Sequence, residues 1–548
     1  MGAISSALAV GFLAWLWGGL AGALFGDGWP AVGSGQLPAV LLRLPARLSD
    51  PSRAWPSAAR AVLPGPSGFY AALALMAGAA GLLCFLLARV RSFDRPSPGA
   101  KWAGRVELRA LHERPLARDQ SRLTLGRRRR QLLRAEQRHA LVAFGPPQSG
   151  KSAGLAIPAL LEWEGPAVAS SIKTDLLSTT LTRRRSLGEV FVFDPLELGG
   201  TGCHTWSPLH RARTWDGALE VAWRLAAAGE LDQRGVEGGD FWALAAEQRL
   251  APLLYTAAVT GAGMDAVVRW VYGQGGRELD RTLLELSGSA HNDSERDGAY
   301  AAYDAVRAFE AQADRTRSSI EATAQALLRA YRFSRVARSA RSCDITADRI
   351  LDQPGTLYLV GDAKASKLLR PLFLALLSEV VDRAYERATL NGGRLELPLL
   401  LCLDEAGNVA PLPNLAEIAS TAPSHNIQLV SIFHDLAQAR SRYRQQAETV
   451  VNSHRARMLL PGVADLGTLR YFAGLTGEEE APDRSYTHGA GGTTRSVARR
   501  RRPLIAAEAL RQLREGQALL LYGRMAPVQV GLRLWFRDRR LRRLAAGS

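Results

Sequence analysis

The feature that most constrains this chain is a short loop with a fixed spacing of glycines, set between two apolar runs. The stretch "HALVAFGPPQSGKSAGLAIPALL" occupies residues 139–161, and its first apolar run stops at Gly145. Gly145, Gly150, Lys151 and Ser152 follow the spacing G-x-x-x-x-G-K-[ST]. A strand-like "ALVAF" precedes the loop and a helix-like "SAGLAIPALL" follows it, which is the context that this motif requires. The sequence therefore predicts a strand, a phosphate-binding loop and a helix.

The chemistry of such a loop is a ring of backbone N–H groups directed at a polyphosphate, at the N-terminus of a helix. Pro146 and Pro147 have no N–H to donate, so the predicted ligands of the phosphates are Gly145, Gln148, Ser149, Gly150, Lys151 and Ser152. Lys151 is expected to reach the β- and γ-phosphates, and the Ser152 hydroxyl to bind Mg²⁺. The alternative is a glycine-rich turn without a ligand, and such a match arises by chance in about one in a hundred chains.

A second acidic motif, "LLLCLDE", ends with Asp404 and Glu405. The apolar residues predict a buried strand, and the two carboxylates stand at its C-terminal end, where an open α/β sheet binds its ligands. Asp404 is expected to hold Mg²⁺ through water, and Glu405 to orient or deprotonate the attacking water. An acidic pair that only opens a turn is the alternative, and the upstream loop disfavours it.

Short apolar runs separated by helical patterns predict the fold around these motifs. Continuous apolar runs that alternate with helices are typical of a parallel sheet covered on both faces. We therefore predict an α/β, RecA-like motor domain, whose strands after the loop are residues 167–172, 190–195, 356–361, 397–405, 426–434 and 455–462.

The distance along the chain between the two motifs predicts an insertion. Lys151 and Asp404 are 253 positions apart, which is more than a compact motor needs. The excess is rich in Ala, Arg, Glu and Gln in helical patterns, and it predicts an all-α domain at residues 209–345. The motor is then split into residues 96–208 and 346–548.

The N-terminal residues 1–95 predict a membrane anchor. Residues 1–26 contain no charged side chain, and a second uncharged run lies between Arg60 and Arg89. We predict two transmembrane helices, at about residues 4–25 and 68–89. A secretory signal is the alternative for the first helix, but this segment lacks the positive n-region of such a signal. The basic flank after the second helix places both termini in the cytoplasm.

The charge of the chain is concentrated in two blocks. The formal net charge is +17, and residues 89–138 contain 15 basic and five acidic side chains, while residues 499–543 contain 13 and three. Such blocks suggest contact with polyanions. Contact with anionic lipid is the alternative for the first block, and a solvated mobile loop is the alternative for Arg499 to Arg502. The four cysteines are scattered without a C-x-x-C pair, which argues against a disulfide framework or a zinc site.

Over nearly its whole length the chain resembles the coupling proteins of type IV secretion systems. The resemblance rests on the two predicted spans and on the segments "GPPQSGKS", "SSIKTDLLSTTLTRRRSLGEVFVFDP", "TWSPL", "TLYLVG", "LLCLDEAGNVAPLPNLAEIAS" and "SIFHDLAQARSRYRQQAETVVNSHRARMLLPGVAD". It implies a hexameric, FtsK-related ATPase at the bacterial cytoplasmic membrane, with the motor in the cytoplasm. It also implies ATP and Mg²⁺ as cofactors, and relaxase-bound single-stranded DNA or protein effectors delivered to a secretion channel. The helical domain is implied to take part in substrate recognition.

The sequence departs from the family pattern at two places. His434 stands where the family usually has a glutamine that senses the γ-phosphate, and imidazole can also donate a hydrogen bond there. The turn before this strand reads "ASTAPSHN" and lacks the family's usual arginines. The candidates for an arginine acting on a neighbouring subunit are Arg440, Arg442, Arg455 and Arg457.

Three hypotheses about function follow from these observations. The first is an ATP-driven DNA translocase and substrate receptor, in which Lys151, Asp404, Glu405 and His434 are catalytic. The second is a coupling ATPase that recruits protein effectors and does not grip DNA. The third is a docking platform that binds ATP but hydrolyses little of it, which the missing arginine turn and His434 would explain.

Overall fold

The structure of the chain is a computed structural model with two compact units. One comprises Met1–Pro98 and the other Gly99–Ser548. The structure describes residues 2–91, 99–112, 122–137, 139–228, 239–274, 276–489 and 492–547.

The first unit is helical. Two long helices, α1 and α4, pack against each other, and shorter helices lie between them in the chain. An aromatic cluster of Trp17, Trp55 and Phe69 is buried between these elements, and Trp17 Nε1 donates a hydrogen bond to the Phe69 carbonyl at 2.7 Å. Its described α-helices are α1 (Gly2–Phe25), α2 (Leu37–Arg43), α3 (Ser57–Arg60) and α4 (Pro66–Arg91).

The two predicted transmembrane segments fall in α1 and α4. Among the described residues, one segment is long and apolar enough to cross a bilayer: Pro66–Leu86, with 21 residues and a mean hydropathy of 2.1. The apolar part of α1 whose side chains are described is Val10–Phe25, which is shorter than a bilayer crossing needs. The first predicted span thus lies partly outside the described side chains, and two crossings stay a prediction.

The second unit is built on one sheet of 11 strands in the order β2-β1-β13-β12-β9-β3-β8-β7-β4-β6-β5. Its strands are β1 (Thr124–Arg128), β2 (Gln131–Arg134), β3 (Ala140–Phe144), β4 (Ala167–Ser171), β5 (Val190–Phe193), β6 (Thr356–Val360), β7 (Leu399–Leu403), β8 (Ile427–Phe433), β9 (Ala456–Leu459), β12 (Gln517–Tyr522) and β13 (Val528–Gly531). Strands β10 (Glu478–Gly489) and β11 (Gly492–Pro503) form a separate antiparallel hairpin.

The centre of the sheet is parallel, as the apolar runs predicted. Strands β9, β3, β8, β7, β4, β6 and β5 pair in parallel. Every residue of β3, β4, β6, β7 and β8 is buried, because helices cover both faces of the sheet. All six strands predicted after the loop are present, each with bounds inside the predicted range. The mixed α/β fold is therefore confirmed.

Four strands that were not predicted extend the sheet at one side. Strand β12 pairs antiparallel with β9, and β13, β1 and β2 follow in antiparallel order. Antiparallel neighbours of this kind occur at the edges of otherwise parallel sheets. They bring the C-terminal strand β12 beside β9, the neighbour of the strand that precedes the loop.

Helices surround the sheet. A π-helical turn (Ser152–Ala156) leads from the loop into the first of them. In chain order the helices are α5 (Ile157–Glu162), α6 (Asp175–Arg185), α7 (Trp215–Ala227), α8 (Gly239–Thr260), α9 (Gly263–Val271), α10 (Gly276–Ser289), α11 (Asp293–Glu310), α12 (Asp314–Leu327), α13 (Ser334–Ser339), α14 (Ala347–Leu351), α15 (Ala363–Leu390), α16 (Leu415–Thr421), α17 (Leu436–Tyr443), α18 (Ala447–Ser453), α19 (Leu466–Thr476), α20 (Ala507–Arg511) and α21 (Arg539–Ala546).

In the segment between β5 and β6 the described residues form helices α7 to α14, joined by turns and irregular stretches, and no strand. Its apolar residues share one core with a face of the sheet: Phe193 of β5 meets Trp206, and Phe373 of α15 meets Phe193. The segment is thus packed on the sheet. The boundaries predicted for a separate all-α domain, residues 209–345, stay a prediction.

The arginine run near the C-terminus lies on a strand. Arg499 to Arg502 belong to β11, so this run is not a loop. On β10, Glu480 pairs with Arg499 at 3.4 Å and Glu479 with Arg502 at 2.7 Å. Both pairs are exposed, so they contribute about 0–1 kcal/mol each.

Candidate functional site

Three neighbouring parallel strands bring the two sequence motifs together. The order β3-β8-β7 places β8 between the strand before the loop and the strand before the acidic pair. Phe144 at the end of β3 pairs with Phe433 at the end of β8. The carboxyl ends of parallel strands meet at one edge of the sheet. Gly145, His434 and Asp404, each the next residue after its strand, therefore lie at the same edge.

The loop has the backbone that its glycines permit. Gly150 has φ +86°, a left-handed conformation that glycine adopts without steric cost. A Cβ at Gly145 would lie 2.4 Å from Ser149 Oγ, so a larger residue there would force Ser149 to shift. Gln148 also has positive φ, at +66°, without being glycine. Strained backbone of this kind clusters at ligand sites.

The ammonium group of Lys151 is buried at the centre of the site. Its Nζ lies 2.7 Å from Glu405 Oε1 and 2.9 Å from His434 Nδ1. A longer contact of 3.4 Å joins it to the Gly145 carbonyl. The ammonium therefore donates to groups supplied by three separate strands.

The imidazole of His434 joins the lysine to the glutamate. The Lys151 ammonium can only donate hydrogen bonds, so Nδ1 of His434 accepts the hydrogen bond from it. Its other nitrogen, Nε2, lies 2.9 Å from Glu405 Oε2 and donates to it. The contacts therefore fit the neutral imidazole with its proton on Nε2.

Ser152 and Asp404 are in direct contact. Ser152 Oγ donates to Asp404 Oδ2 at 2.6 Å. The other oxygen of Asp404, Oδ1, is buried and has no hydrogen-bond partner among the residues that the structure describes. Burial and the neighbouring Glu405 charge raise the pKa of Asp404 to about 6, although the Ser152 hydroxyl and Lys151 oppose the shift. A half-buried hydroxyl beside a carboxylate with a free oxygen suits a hard cation such as Mg²⁺.

Glu405 is held firmly in its ionised form. Burial would raise its pKa, but hydrogen bonds from His434 and Lys151 and the lysine charge outweigh burial and lower it to about 2. The Glu405 backbone has φ +62°, and Asn408 Nδ2 donates to Glu405 Oε2 at 2.9 Å. Asn408 was not singled out from the sequence, although it follows the acidic pair by three residues.

The site opens into a cavity of about 420 Å³. Seven predicted residues line it or lie at its base: Gln148, Ser149, Gly150, Lys151, Ser152, Glu405 and His434. Pro147, Ala153 and Ile172 also line it. The other lining residues follow β4 or belong to the C-terminal segment, and none of them was predicted: Lys173, Asp175, Glu515, Gly516, Leu534, Phe536 and Arg537. No spacing in the sequence links this C-terminal segment to the loop, because the contact depends on the antiparallel strands.

A buried ion network fixes the C-terminal segment beside the loop. Arg533 donates to Glu162 Oε1 at 2.6 Å and to Asp538 Oδ2 at 2.9 Å. Thr124 of β1 donates to the other oxygen of Glu162, at 2.6 Å. Glu162 ends α5, the helix that continues from the loop. The network therefore joins the segment to the helix behind the phosphate-binding loop.

The four arginines proposed to act on a neighbouring subunit all bond acceptors of their own chain. Arg440 pairs with Glu448 at 3.0 Å and Arg455 with Glu136 at 3.1 Å. The other two contact carbonyls, Arg442 that of Gly407, and Arg457 those of Val451 and Asn452. A role for any of them in a neighbour's site stays a prediction.

The sheet order, the loop and the acidic pair at one edge define the class of this protein, a RecA-like P-loop fold. The chain belongs to a particular family within that class. The family model described as "Type IV secretory system Conjugative DNA transfer" matches residues 106–546.

Individual relatives agree with the family. The chain is 24% identical to the conjugal transfer protein TraG of Escherichia coli, over 62% of this chain and 55% of that protein. It is 23% identical to the protein VirD4 of Rhizobium rhizogenes, over 75% of this chain and 60% of that protein. The match thus spans little more than half the length of these relatives.

The fold is similar to that of a solved coupling protein. The bacterial conjugative coupling protein TrwBdeltaN70 superposes with a TM-score of 0.60 and 17% identity, covering 80% of this chain and 93% of that chain. A structure of the plasmid coupling protein TrwB in complex with ADP and Mg²⁺ superposes with a TM-score of 0.56 and 16% identity.

Proposed function

We propose that this chain is a membrane-anchored ATPase that couples relaxase-bound single-stranded DNA to a type IV secretion channel and drives its translocation. One observation carries the proposal. Residues more than 250 positions apart meet in one cavity, where Lys151 lies 2.7 Å from Glu405 and Ser152 2.6 Å from Asp404. Family membership supports the DNA-transfer context, and the complex of TrwB with ADP and Mg²⁺ supports a nucleotide at the shared fold's loop.

The anchor and the ring are part of the same proposal. The long apolar helix at Pro66–Leu86 supports attachment to the cytoplasmic membrane. With α1 as a second crossing, the motor lies in the cytoplasm, where ATP is available. The working form is a homohexamer, as the family resemblance implies, and secretion-channel proteins are its partners.

The residues of the site divide the work of hydrolysis. Ser152 and Asp404 would hold Mg²⁺, which supplies positive charge against the charge that develops on the phosphates. Lys151 is placed to bind the β- and γ-phosphates, and the first N–H groups of its helix have no intrahelical acceptor and point to the same ligand. Glu405, ionised and held by Asn408, would take the proton of the attacking water. His434 fixes the orientation of Glu405.

The C-terminal segment supplies the far wall of the nucleotide site. Phe536 is about half exposed, and the Arg537 guanidinium lies 5.8 Å from the centre of its ring. Both residues line the cavity that contains the loop. An aromatic ring and a guanidinium are groups on which a nucleobase stacks. We place the base of ATP against them.

The test is ATP turnover by the full chain in detergent, with and without single-stranded DNA, beside transfer of a marked plasmid from cells. Lys151→Ala should abolish turnover and transfer, since the loop loses its only ammonium. Wild-type turnover that is absent under both conditions would overturn the proposed hydrolysis. Transfer that survives Lys151→Ala would show that ATP does not drive it.

A further inference from the structure

A second cleft in the same unit is lined by other residues than the nucleotide cavity. It lies at the carboxyl ends of β5 and β6, with β4, β7 and β8 between these strands and the strand of the phosphate-binding loop. It has a volume of about 830 Å³, and its other wall comes from residues 329–333, between α12 and α13. The carboxyl edge of an open α/β sheet is where such folds bind their ligands.

The cleft is basic. Four cations line it, Arg329, Arg332, Lys364 and Lys367, against one acid, Asp362. One oxygen of the Asp362 carboxylate, Oδ1, accepts the backbone N–H groups of Lys364 and Ala365 at 2.9 and 2.6 Å and so caps α15. The chain has only five lysines, and two of them are here.

The lysine charges of the cleft are not neutralised. Within the part of the chain that the structure describes, Lys364 and Lys367 have no ion-pair partner, and both are exposed. On the same helix, Arg383 and Arg387 both pair with Asp348, at 2.8 and 3.1 Å. Unpaired charges of one sign repel each other and attract an opposite charge. The cleft is therefore suited to a polyanion.

An exposed aromatic ring lies among these cations. Phe333 lines the cleft and is 50% exposed, although it follows the buried Tyr331 by only two residues. The guanidinium of Arg332, the residue before Phe333, lies 5.0 Å from the centre of the Tyr272 ring. Cations that follow a phosphate backbone, together with an aromatic ring on which a base stacks, are the features of a single-strand binding site. In duplex DNA the bases are stacked on each other and cannot use such a ring.

We propose that this cleft binds a segment of single-stranded DNA, with phosphates on Lys364 and Lys367 and a base on Phe333. The proposal rests on the proposed function, since it locates the nucleic acid which that function requires. Arg329 extends the positive surface towards the helical segment between β5 and β6. The DNA strand therefore contacts the sheet and this helical segment at their junction.

The structure also provides a route from the cleft to the hydrolytic glutamate. Lys367 and Arg370 lie one turn apart on α15. Arg370 donates to the Asn408 carbonyl at 3.3 Å, and the Asn408 amide donates to Glu405 Oε2 at 2.9 Å. A shift of the first turns of α15 upon DNA binding would reach Glu405 through two hydrogen bonds. DNA in the cleft is expected to change the rate of ATP hydrolysis.

The test compares two double variants of the full chain in detergent for binding of a fluorescent oligothymidylate across a salt series. Lys364→Ala with Lys367→Ala removes two cations of the cleft, and Arg277→Ala with Arg281→Ala removes two exposed cations of α10 outside it. Alanine favours helix at all four positions. Melting temperatures report whether each variant is folded.

The cleft variant should lower the slope of log affinity against log salt by about 1.4, since each lost phosphate contact contributes about 0.7 for a single strand. The cleft variant should also lose the stimulation of ATP turnover by DNA. The α10 variant should keep the wild-type salt slope and the stimulation. Phe333→Ala should weaken oligothymidylate binding about fivefold or more, but not the binding of an abasic strand.

Two results would overturn the assignment, and they differ in what they imply. If the wild-type chain binds single strands and the cleft variant has the same salt slope as the α10 variant, DNA binds elsewhere and the proposed function stands. If the wild-type chain binds no single strand at any salt concentration, the cleft and the DNA-translocating function both fail, whereas ATP hydrolysis is decided separately by its own turnover.

Discussion

Lys151 Nζ lies 2.7 Å from Glu405 Oε1, and this contact links the lysine of the phosphate-binding loop to the glutamate expected to act as the base. Both side chains are at least nine-tenths buried. A buried charge is costly unless it is paired, so each neutralises the other. Phosphates that draw Lys151 away would free Glu405 to bind the attacking water. In the proposed function, nucleotide binding would therefore also release the base.

His434 is expected to be replaceable by glutamine but not by alanine. The imidazole accepts from Lys151 and donates to Glu405, and a glutamine amide has one acceptor and a donor for the same two contacts. His434→Gln should change kcat by less than about tenfold. His434→Ala leaves a charged group without its hydrogen bond and should lower kcat by about 10- to 100-fold. Equal losses in the two variants would contradict this role.

Asp404 is expected to control the use of Mg²⁺ without supporting the fold. Asp404→Asn should raise the Mg²⁺ concentration for half-maximal turnover by about 10- to 100-fold, as the loss of a group that acts through a bound water does. The pKa of Asp404 is raised by burial, so a neutral amide should leave the melting temperature unchanged or higher. Ser152→Ala is the companion variant, with the same shift in Mg²⁺ requirement. A turnover that depends on Mg²⁺ as in the wild type would contradict the metal assignment.

The centre of the fold and the site were predictable because their signals are local. Fully apolar runs such as β3 and β7 predict buried parallel strands, and Asp404 and Glu405 stand directly after one of them. The antiparallel extension was not predictable in this way. Strands β1 and β2 are four or five residues long and contain arginines, so they show neither an apolar run nor clear alternation. Their place depends on pairing with strands about 400 residues further along the chain.

The C-terminal wall of the nucleotide site was missed for the same reason. Phe536 and Arg537 belong to the basic block at residues 499–543, and nothing near them in the sequence indicates a ligand. The structure brings them to the loop through the pairing of β12 and β13 and the Arg533 network. In contrast, the alternative of a loop for Arg499 to Arg502 was wrong, because these residues lie on β11, where Arg499 and Arg502 pair with opposing glutamates on β10.

Arg533 is expected to hold the C-terminal segment in place. Arg533→Leu would leave the buried Glu162 carboxylate without its cation and Asp538 with only the half-exposed Arg127, and removing one partner of a buried ion network costs about 3–5 kcal/mol. The free energy of unfolding should fall by that amount in a urea titration. Arg537→Leu is the matched control, because its guanidinium is exposed and the change should stay within about 0.5 kcal/mol. Equal effects of the two variants would contradict the network's role.

His210 is expected to make the fold less stable at alkaline pH. Its Nε2 lies 2.9 Å from Glu379 Oε1, and its Nδ1 lies 2.7 Å from the Ser207 carbonyl. Burial would lower its pKa, but Cys343 and the Glu379 carboxylate outweigh burial and raise it to about 10. Because the folded pKa lies above the unfolded value of about 6.5, the stabilisation is complete below pH 6.5 and is lost as the pH rises towards 10.

The measurement for His210 is the melting temperature of the full chain between pH 6.5 and about 10. The wild type should lose stability across this range, and His210→Gln should show a shallower dependence, because glutamine has no proton to lose. A pH profile that is identical in the two proteins would show that the pair with Glu379 is not charged.

The most direct test of the central claim is ATP turnover by Glu405→Gln, measured with ATP affinity in the same preparation. If Glu405 is the base, kcat falls by about 10²- to 10⁴-fold, while the affinity is retained because the amide still fits beside Lys151. Glu515→Gln is the control, since this glutamate lines the same cavity but touches neither Lys151 nor His434. An unchanged kcat for Glu405→Gln would contradict a hydrolytic site built from the loop and the acidic pair.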